Sequence, residues 1–426
     1  MKRFRSTSPI IIFLSCLLLL FTVISTEGTS IAQEKSLKVG LSLCYTGALS
    51  AHGSVFANGM RDKLMWTNHQ GGLTYKDPKT GKVEKVKLDV IWEDNAYNPA
   101  KSVAIYKRFK AAGVNLISGY GSTPGEAMAG SASRDKIPIM QLYCYASPAG
   151  YEPRPQFYSA GFGTITEDFM APAKWFIQNW KENRKPKLGT LALGVPSWRT
   201  ISDPKGAQAH VEKLGGEFVG VEWLPMICTD TTVELKRLIE EKKADFIMVF
   251  GAMAHSIVVA KDLARLGVDL NKVTVVNNAC SIDESFIKAI PKEAEGLYGT
   301  NYFSLPSEDA VPGVQVAKKI AAWRGLKPAD VNKTYIEGIA CSYTVEKGLT
   351  AALEKKGYKD LTNTDIKDVF FNLKDIQLDG LLPSLTVRDP NYPGFFNWMR
   401  IARITKGEYK LVSDWLEIPQ VTDGGR

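Results

Sequence analysis

From residue 37 onward, short apolar runs alternate with segments whose apolar positions recur at helical spacing. "LKVGLSL" reads as a strand, followed by a helix over Val55 to Asn68; "VKLDVIWED" reads as a second strand, followed by a helix over Pro99 to Ala112. "VNLISGY", a helix from Gly125 and "IPIMQLY" continue the series. Such an alternation predicts a parallel sheet covered by helices on both faces. The polar, turn-rich stretch "LTYKDPKTGKVEKV" predicts a hairpin beside the second strand.

The alternation then starts again. "KLGTLALG" reads as a strand, "DPKGAQAHVEKLG" as a helix ended by glycine, and "EFVGVEWL" as a strand. "TTVELKRLIEEKKA" has the spacing of a helix, and "DFIMVFG", "SIVVAKDLARLG", "KVTVVNN" and "ESFIKAI" complete a second α/β lobe. "GLYGTNYFSLP" reads as a connection back, because helical patterns resume at Val314 to Arg324 and Gly338 to Lys355. The tail "GFFNWMRIARITKGEYKLVSDWLEI" predicts a strand pair around a Lys-Gly-Glu turn. A chain that revisits its lobes crosses between them several times, which suits a hinge with a cleft.

The first residues stand apart from this pattern. Lys2, Arg3 and Arg5 precede an apolar stretch from Ile10 to Ile24, and Ser30-Ile31-Ala32 offers a small-x-small cleavage site. About 15 apolar residues fall short of the roughly 20 that span a bilayer. The segment therefore reads as a secretory signal over residues 1–32, cleaved near Ala32, with an exported, soluble mature chain. Cys16 lies inside the apolar stretch rather than after it, which argues against a lipid anchor there. The remaining chain, about 394 residues once the first 32 are removed, is long enough for two domains.

Charge and cysteine content narrow the function classes. Removing the leader lowers the formal charge from +8 to +6, and no Lys/Arg block argues for nucleic acid. Five cysteines remain, Cys44, Cys144, Cys228, Cys280 and Cys341, an odd number without any CxxC pair. They indicate neither a disulfide framework nor a zinc site, and read mainly as small buried hydrophobes.

The catalytic readings find little support. Gly119-x-Gly121-x-x-x-Gly125 is one residue longer than the dinucleotide fingerprint and lies on the third strand of the series rather than the first. About 20 residues further on, where a ribose-binding acid is expected, the chain has Gln141-Leu142-Tyr143. Neither a GxxxxGK[ST] loop nor a GxSxG elbow occurs. His52, His69, His210 and His255 form no HxxxH pair, so neither a metal nor any other cofactor is indicated. Cys144 with His52 is the one nucleophile pairing to set against a plain buried thiol.

The binding readings are stronger. Gly121-Ser122-Thr123 after the third strand supplies a glycine turn, two hydroxyls and free N–H groups at a helix start. Tyr145-Ala146-Ser147 does the same after the fourth. Two adjacent strands ending this way can aim several donors at one carboxylate, although helix capping alone also explains the hydroxyls. Tyr45, Tyr97, Tyr120, Tyr143, Tyr145 and Trp198 all fall at strand ends or just beyond, the edge at which open α/β sheets bind ligands.

Four stretches carry a family resemblance: "LKVGLSLCYTGALSAHGSVFANGMRD", "WEDNAYNPAKSVAIYKRFKAAGVNLISGYGS", "IPIMQLYCYASP" and "TDTTVELKRLIEEKKADFIMVFG". In order and spacing they resemble the periplasmic substrate-binding proteins of branched-chain amino acid type ABC transporters, the leucine/isoleucine/valine-binding family. The resemblance runs from Leu37 to the C-terminal strands and is most specific from Glu93-Asp94 to Gly119. It implies an α/β type I periplasmic binding fold, two Rossmann-like lobes joined by three hinge crossovers near Phe157 to Thr164, Gly296 to Leu305 and Ser384 to Phe396. The implied lobes are residues 33–160 with 303–383, and 161–302 with 384–426. It implies no catalysis, a monomer, and delivery of a small-molecule ligand from the periplasm to membrane permease subunits.

In that family a ligand carboxylate is held after the third and fourth strands, where Ser122, Thr123, Tyr145, Ala146 and Ser147 stand here. Second-lobe contacts are implied near Trp198 and near Ala252-Met253, with Asn278 at the end of "KVTVVNN". Amino-acid binders of the family often place an acid in that segment to hold the ligand ammonium. This chain reads Asn277-Asn278-Ala279-Cys280 there, with no acid before Asp283, so an α-amino acid would need Glu337 or Asp230 instead. The expected ligand is a small carboxylate or amino-acid-like molecule; the departure weakens the α-amino acid reading, and the extra aromatics fit an aromatic or other apolar carboxylate, or an amide. Cys44 also stands where a proline is common. The family's strand order puts the third strand between Cys44 and Cys144, two steps of about 4.8 Å, which exceeds the reach of a disulfide. A ligand sensor on the same fold and a secreted thiol hydrolase are the rival readings.

Overall fold

The computed structural model describes residues 34–146, 157–391 and 394–420. The leader read over residues 1–32 and the expected site residue Ser147 lie outside the described residues. Residues 36 onward form one compact unit.

Two sheets organise that unit. The first has the strand order β2-β3-β1-β4-β5-β6, from β1 (Ser36–Leu43), β2 (Leu73–Lys76), β3 (Val83–Asp94), β4 (Leu116–Tyr120), β5 (Ile139–Tyr143) and β6 (Tyr158–Ala160). Its pairings are parallel except between β2 and β3, which form the expected hairpin; the second arm of that hairpin continues into the strand read from "VKLDVIWED". β4 lies between β1 and β5, and Cys44 and Cys144, which follow those outer two, are free thiols. The second sheet runs β13-β12-β11-β10-β9-β7-β8, with β14 pairing β12. Its strands are β7 (Lys187–Leu193), β8 (Glu217–Leu224), β9 (Phe246–Phe250), β10 (Thr274–Asn277), β11 (Tyr298–Asn301), β12 (Trp398–Thr405), β13 (Glu408–Leu411) and β14 (Leu416–Glu417). β12 and β13 turn through Lys406 and Gly407, both at positive φ, as a tight hairpin requires.

The helices that place the site are α1 (Ser50–His69), α2 (Pro99–Ala111), α3 (Ser122–Asp135), α4 (Ile165–Asn179), α5 (Met253–Arg265), α6 (Glu284–Ala289), α7 (Pro312–Trp323), α8 (Lys333–Lys356) and α9 (Asn363–Phe370). Sequence spacing differs from structure at three places. α8 begins at Lys333 rather than Gly338, because the Asn332 side chain caps it by accepting from the Tyr335 N–H. The stretch read as one helix from "TTVELKRLIEEKKA" is an α-turn over Thr232–Lys236 followed by a π-turn over Arg237–Glu241. α9 was not legible from spacing at all; its start is set by the Thr362–Asp365 capping box.

The chain passes between the sheets after β6, after β11 and before β12. These passages lie side by side. The Phe395 and Phe396 N–H groups donate to the Gly161 carbonyl at 2.8 and 3.0 Å. Phe162 stacks on Tyr302 at 4.1 Å and packs against Phe396 at 5.6 Å. α4 then covers the second sheet through Phe169 and Phe176, both against Phe246. α7 and α8 return to the first: Trp323 meets Trp66 of α1, and α8 runs against α1 with Gly338 facing the Phe56 carbonyl.

Candidate functional site

The strand-turn-helix at residues 116–135 fixes the site. β4 ends at Tyr120, and Gly121 takes φ 103°, a left-handed turn that starts α3 at Ser122. A side chain at Gly121 would also meet Tyr97 at 2.8 Å, so glycine is required twice over. No side chain caps α3, and Pro124 has no N–H to offer. β5 is locked alongside: the Gly121 N–H donates to the Tyr143 carbonyl at 2.9 Å, and the Tyr145 N–H donates to Ser122 Oγ at 3.0 Å. Ser122 Oγ accepts that bond, which leaves its own proton to give.

Above this floor lies a cavity with about 410 Å³ of non-atom space, its mouth included. The first sheet contributes Tyr120 and Tyr143, whose rings stack at 5.4 Å and 7°, with Tyr97 beside them. Tyr145 and Trp198 meet edge to face at 5.9 Å, and Phe162 of the first passage closes one side. Gly251, Ala279 and Cys280, from the loops after β9 and β10, close the other. The carboxyl ends of strands from both sheets therefore converge on one aromatic space, the edge at which open α/β sheets hold ligands.

The polar groups at the wall divide into those already engaged and those that are not. The Tyr145 hydroxyl donates to Asp168 Oδ2 at 2.8 Å, and the Tyr302 hydroxyl donates to Asp168 Oδ1. The Tyr143 hydroxyl donates to Glu337 Oε2 at 2.9 Å, and His52 Nε2 lies 2.9 Å from the same oxygen. Trp198 Nε1–H, by contrast, is buried without a hydrogen-bond partner. An unsatisfied buried donor costs about 1–3 kcal/mol, and this one belongs to a residue that lines the cavity.

Asp168 carries a pH signature. Burial pushes its carboxyl up to about 6, against the two tyrosine hydroxyls that favour the anion. The folded protein thus holds this proton more tightly than the unfolded chain, whose ordinary value is 3.8. The resulting stabilisation is complete below that value and is lost as pH rises through about 6. Between pH 4.5 and 7.5, the unfolding free energy of the wild type minus that of Asp168→Asn is expected to fall by about 2 kcal/mol. Urea denaturation at the two pH values measures this, and a difference that stays constant or rises contradicts it.

The expected site residues are distributed as follows. Tyr97, Tyr120, Ser122, Tyr145 and Trp198 line the cavity, and Tyr143 joins them. Thr123 is bonded to the Tyr97 side chain. Asn278 stands behind the wall, with Nδ2 3.5 Å from the Tyr145 hydroxyl and 3.1 Å from Cys280 Sγ. Met253 is buried at the start of α5, outside the wall. The Ala146 N–H is taken by the Gly163 carbonyl at 3.0 Å and has no proton left for a ligand. Tyr45 is also placed elsewhere: its ring packs on Trp92 at 5.1 Å and its hydroxyl accepts from Arg61 at 2.8 Å. Leu49, Phe162 and Cys280 line the cavity without having been singled out, because nothing local in their sequence signals a long-range contact.

The rival chemistry does not assemble. Burial pushes the Cys144 thiol up to about 12, and it donates to the Gln141 carbonyl at 2.9 Å. His52 is spent on Glu337 and Tyr143 instead. Asp230, one candidate ammonium holder, is exposed and paired with Arg265 at 3.1 Å. Among the described residues no group of His, Cys, Asp and Glu side chains could hold a metal ion. No helix there is long and apolar enough to cross a membrane.

Comparison with known proteins agrees with this architecture. Among solved structures, an ABC transporter substrate-binding protein from Aeropyrum pernix is similar at 20% identity and TM-score 0.76, covering 92% of this chain and 98% of that one. A branched-chain amino acid ABC transporter protein from Thermus thermophilus with bound valine is similar at 17% identity and TM-score 0.72, covering 90% and 96%. A solute-binding protein of an ABC transporter from Rhodopseudomonas palustris BisB5, in complex with 3,4-dihydroxybenzoic acid, is similar at 18% identity and TM-score 0.70, covering 91% and 99%. At such identities the likeness speaks for the fold. No curated protein sequence matches the chain. A family model described as periplasmic binding protein matches residues 36–408, and the chain belongs to that family.

Proposed function

We propose that this protein is the extracytoplasmic solute-binding component of an ABC importer, and that its ligand is a small carboxylate with an aromatic or branched apolar body. The observation that carries the ligand class is the division of polar groups at the cavity. Trp198 Nε1–H and the Ser122 hydroxyl proton remain to be given, while Asp168 accepts from Tyr145 and Tyr302, and Glu337 accepts from Tyr143 at Oε2 and is ion-paired with Lys333 at Oε1. A site that offers donors between aromatic faces suits an anion on a flat or bulky apolar body. The uncapped start of α3 adds the positive end of a helix dipole on the same side.

In this reading Ser122 and Trp198 hold the carboxylate, Tyr120, Tyr143 and Tyr145 hold the body, and Tyr97 and Thr123 support the turn. Residues 33–160 with 303–383 act as one lobe, and 161–302 with 384–426 as the other. They close on the ligand about the three passages, whose aromatic cluster of Phe162, Tyr302, Phe303 and Phe396 is the pivot. The closed monomer is what the permease subunits recognise. Energy for release comes from that partner.

A thermal-shift screen of the mature protein tests the ligand class, using aromatic and branched carboxylates, the matching amides, and amino acids. Ligand at a hundredfold excess over Kd stabilises the fold by about 2.7 kcal/mol. Carboxylates are expected to raise Tm and their amides to raise it far less. Stabilisation by amides alone, or by none of the compounds, overturns the reading.

A further inference from the structure

Lys333 is placed against its own electrostatics. It is the first residue of α8, where the helix dipole repels a cation, and it is 2% exposed. A buried ammonium is tolerated only with close partners. Here Nζ lies 3.0 Å from Glu337 Oε1, one turn along the helix, and donates to the carbonyls of Ala279 and, at 3.3 Å, Ile282. Burial would raise the Glu337 carboxyl, but Lys333 and then His52 hold it below the ordinary glutamate value. The surroundings of this pair also face the cavity, since Ala279 and Tyr143 are both part of its wall. An acid and a carbonyl able to hold an ammonium beside the cavity thus already hold one, supplied by the chain.

We propose that Lys333 is a built-in ammonium that sets the specificity of the cavity. It fills the cation position next to the ligand, so the protein takes carboxylates that lack an α-ammonium and rejects the amino acids of the same skeleton. This rests on the carboxylate reading above. A ligand ammonium would meet a like charge and find Glu337 and the Ala279 carbonyl engaged. Lys333→Ala uncovers both acceptors and opens space for a ligand cation.

The test is calorimetric titration with matched pairs: 3-phenylpropanoate against phenylalanine, and 4-methylpentanoate against leucine. In the wild type the deaminated member is expected to bind at least about 100-fold more tightly. In Lys333→Ala that ratio is expected to fall by at least about tenfold, through gained affinity for the amino acid. Equal binding of both members by the wild type overturns the proposal, as does an unchanged ratio in a folded Lys333→Ala protein. The wild-type ratio needs no variant, so it remains decisive if the substitution unfolds the start of α8. If the wild type binds no carboxylate at all, it is the carboxylate reading that fails. Binding of carboxylates without discrimination against ammonium leaves that reading standing and removes only this one.

Discussion

Gly338→Ala is expected to destabilise the protein by about 3 kcal/mol, the upper part of the range for overpacking a close contact. α8 crosses α1 backbone on backbone at this point. A methyl group at Gly338 would sit 2.1 Å from the Phe56 carbonyl oxygen and 2.7 Å from the Met60 nitrogen. Across the same contact, one at Gly59 would sit 2.2 Å from the Tyr335 carbonyl oxygen. Backbone cannot swing aside as a side chain can, so the helices must separate. The separation reaches the site, because α1 carries His52 and α8 carries Lys333 and Glu337. Gly130→Ala is the control: it lies in α3 with open space around it, and alanine there should be neutral or stabilise by up to about 1 kcal/mol. Urea unfolding of the two variants measures the contrast, and equal midpoints contradict it.

Trp198→Phe is expected to move ligand affinity and intrinsic stability in opposite directions. The substitution keeps a ring of similar kind against Tyr145 and deletes a buried donor that has no partner, on a residue that lines the cavity. Without ligand, losing an unsatisfied donor removes a desolvation penalty of about 1–3 kcal/mol, partly offset by the smaller ring, so Tm should hold or rise. With ligand, the variant lacks a hydrogen bond to a carboxylate, about 1.5–3 kcal/mol, and Kd should rise roughly 10- to 100-fold. Calorimetric titration and a melt of the same preparation give both numbers. A fall in both, or in neither, means that Trp198 Nε1 does not meet the ligand.

What the sequence disclosed follows physical lines. The strand run "DFIMVFG" is buried along its length and "LKVGLSL" at every position but Lys38, so the apolar signal is nearly continuous. The glycine turn at Gly121 was equally plain, because a strand must end and a helix must start within two residues. The start of α8 was hidden for the opposite reason. Lys333, Thr334 and Glu337 read as a polar surface, and they are buried only because they meet the loop after β10, α6, and His52 of α1. Tyr45 and Tyr120 both follow strand ends, yet one packs on Trp92 and the other enters the cavity. Nothing local separates them, since each partner comes from elsewhere in the chain. Glu337 was legible as a candidate acid, but its engagement by Lys333 was not. The i, i+4 spacing of the two suggests a surface pair as readily as a buried one.

A crystal structure of the protein with its tightest-binding carboxylate tests the central claim most directly. The account predicts carboxylate oxygens at about 2.7–3.2 Å from Ser122 Oγ and Trp198 Nε1, with the apolar body against the rings of Tyr120 and Tyr143. A carboxylate turned away from both donors, or a ligand seated outside this cavity, would contradict it.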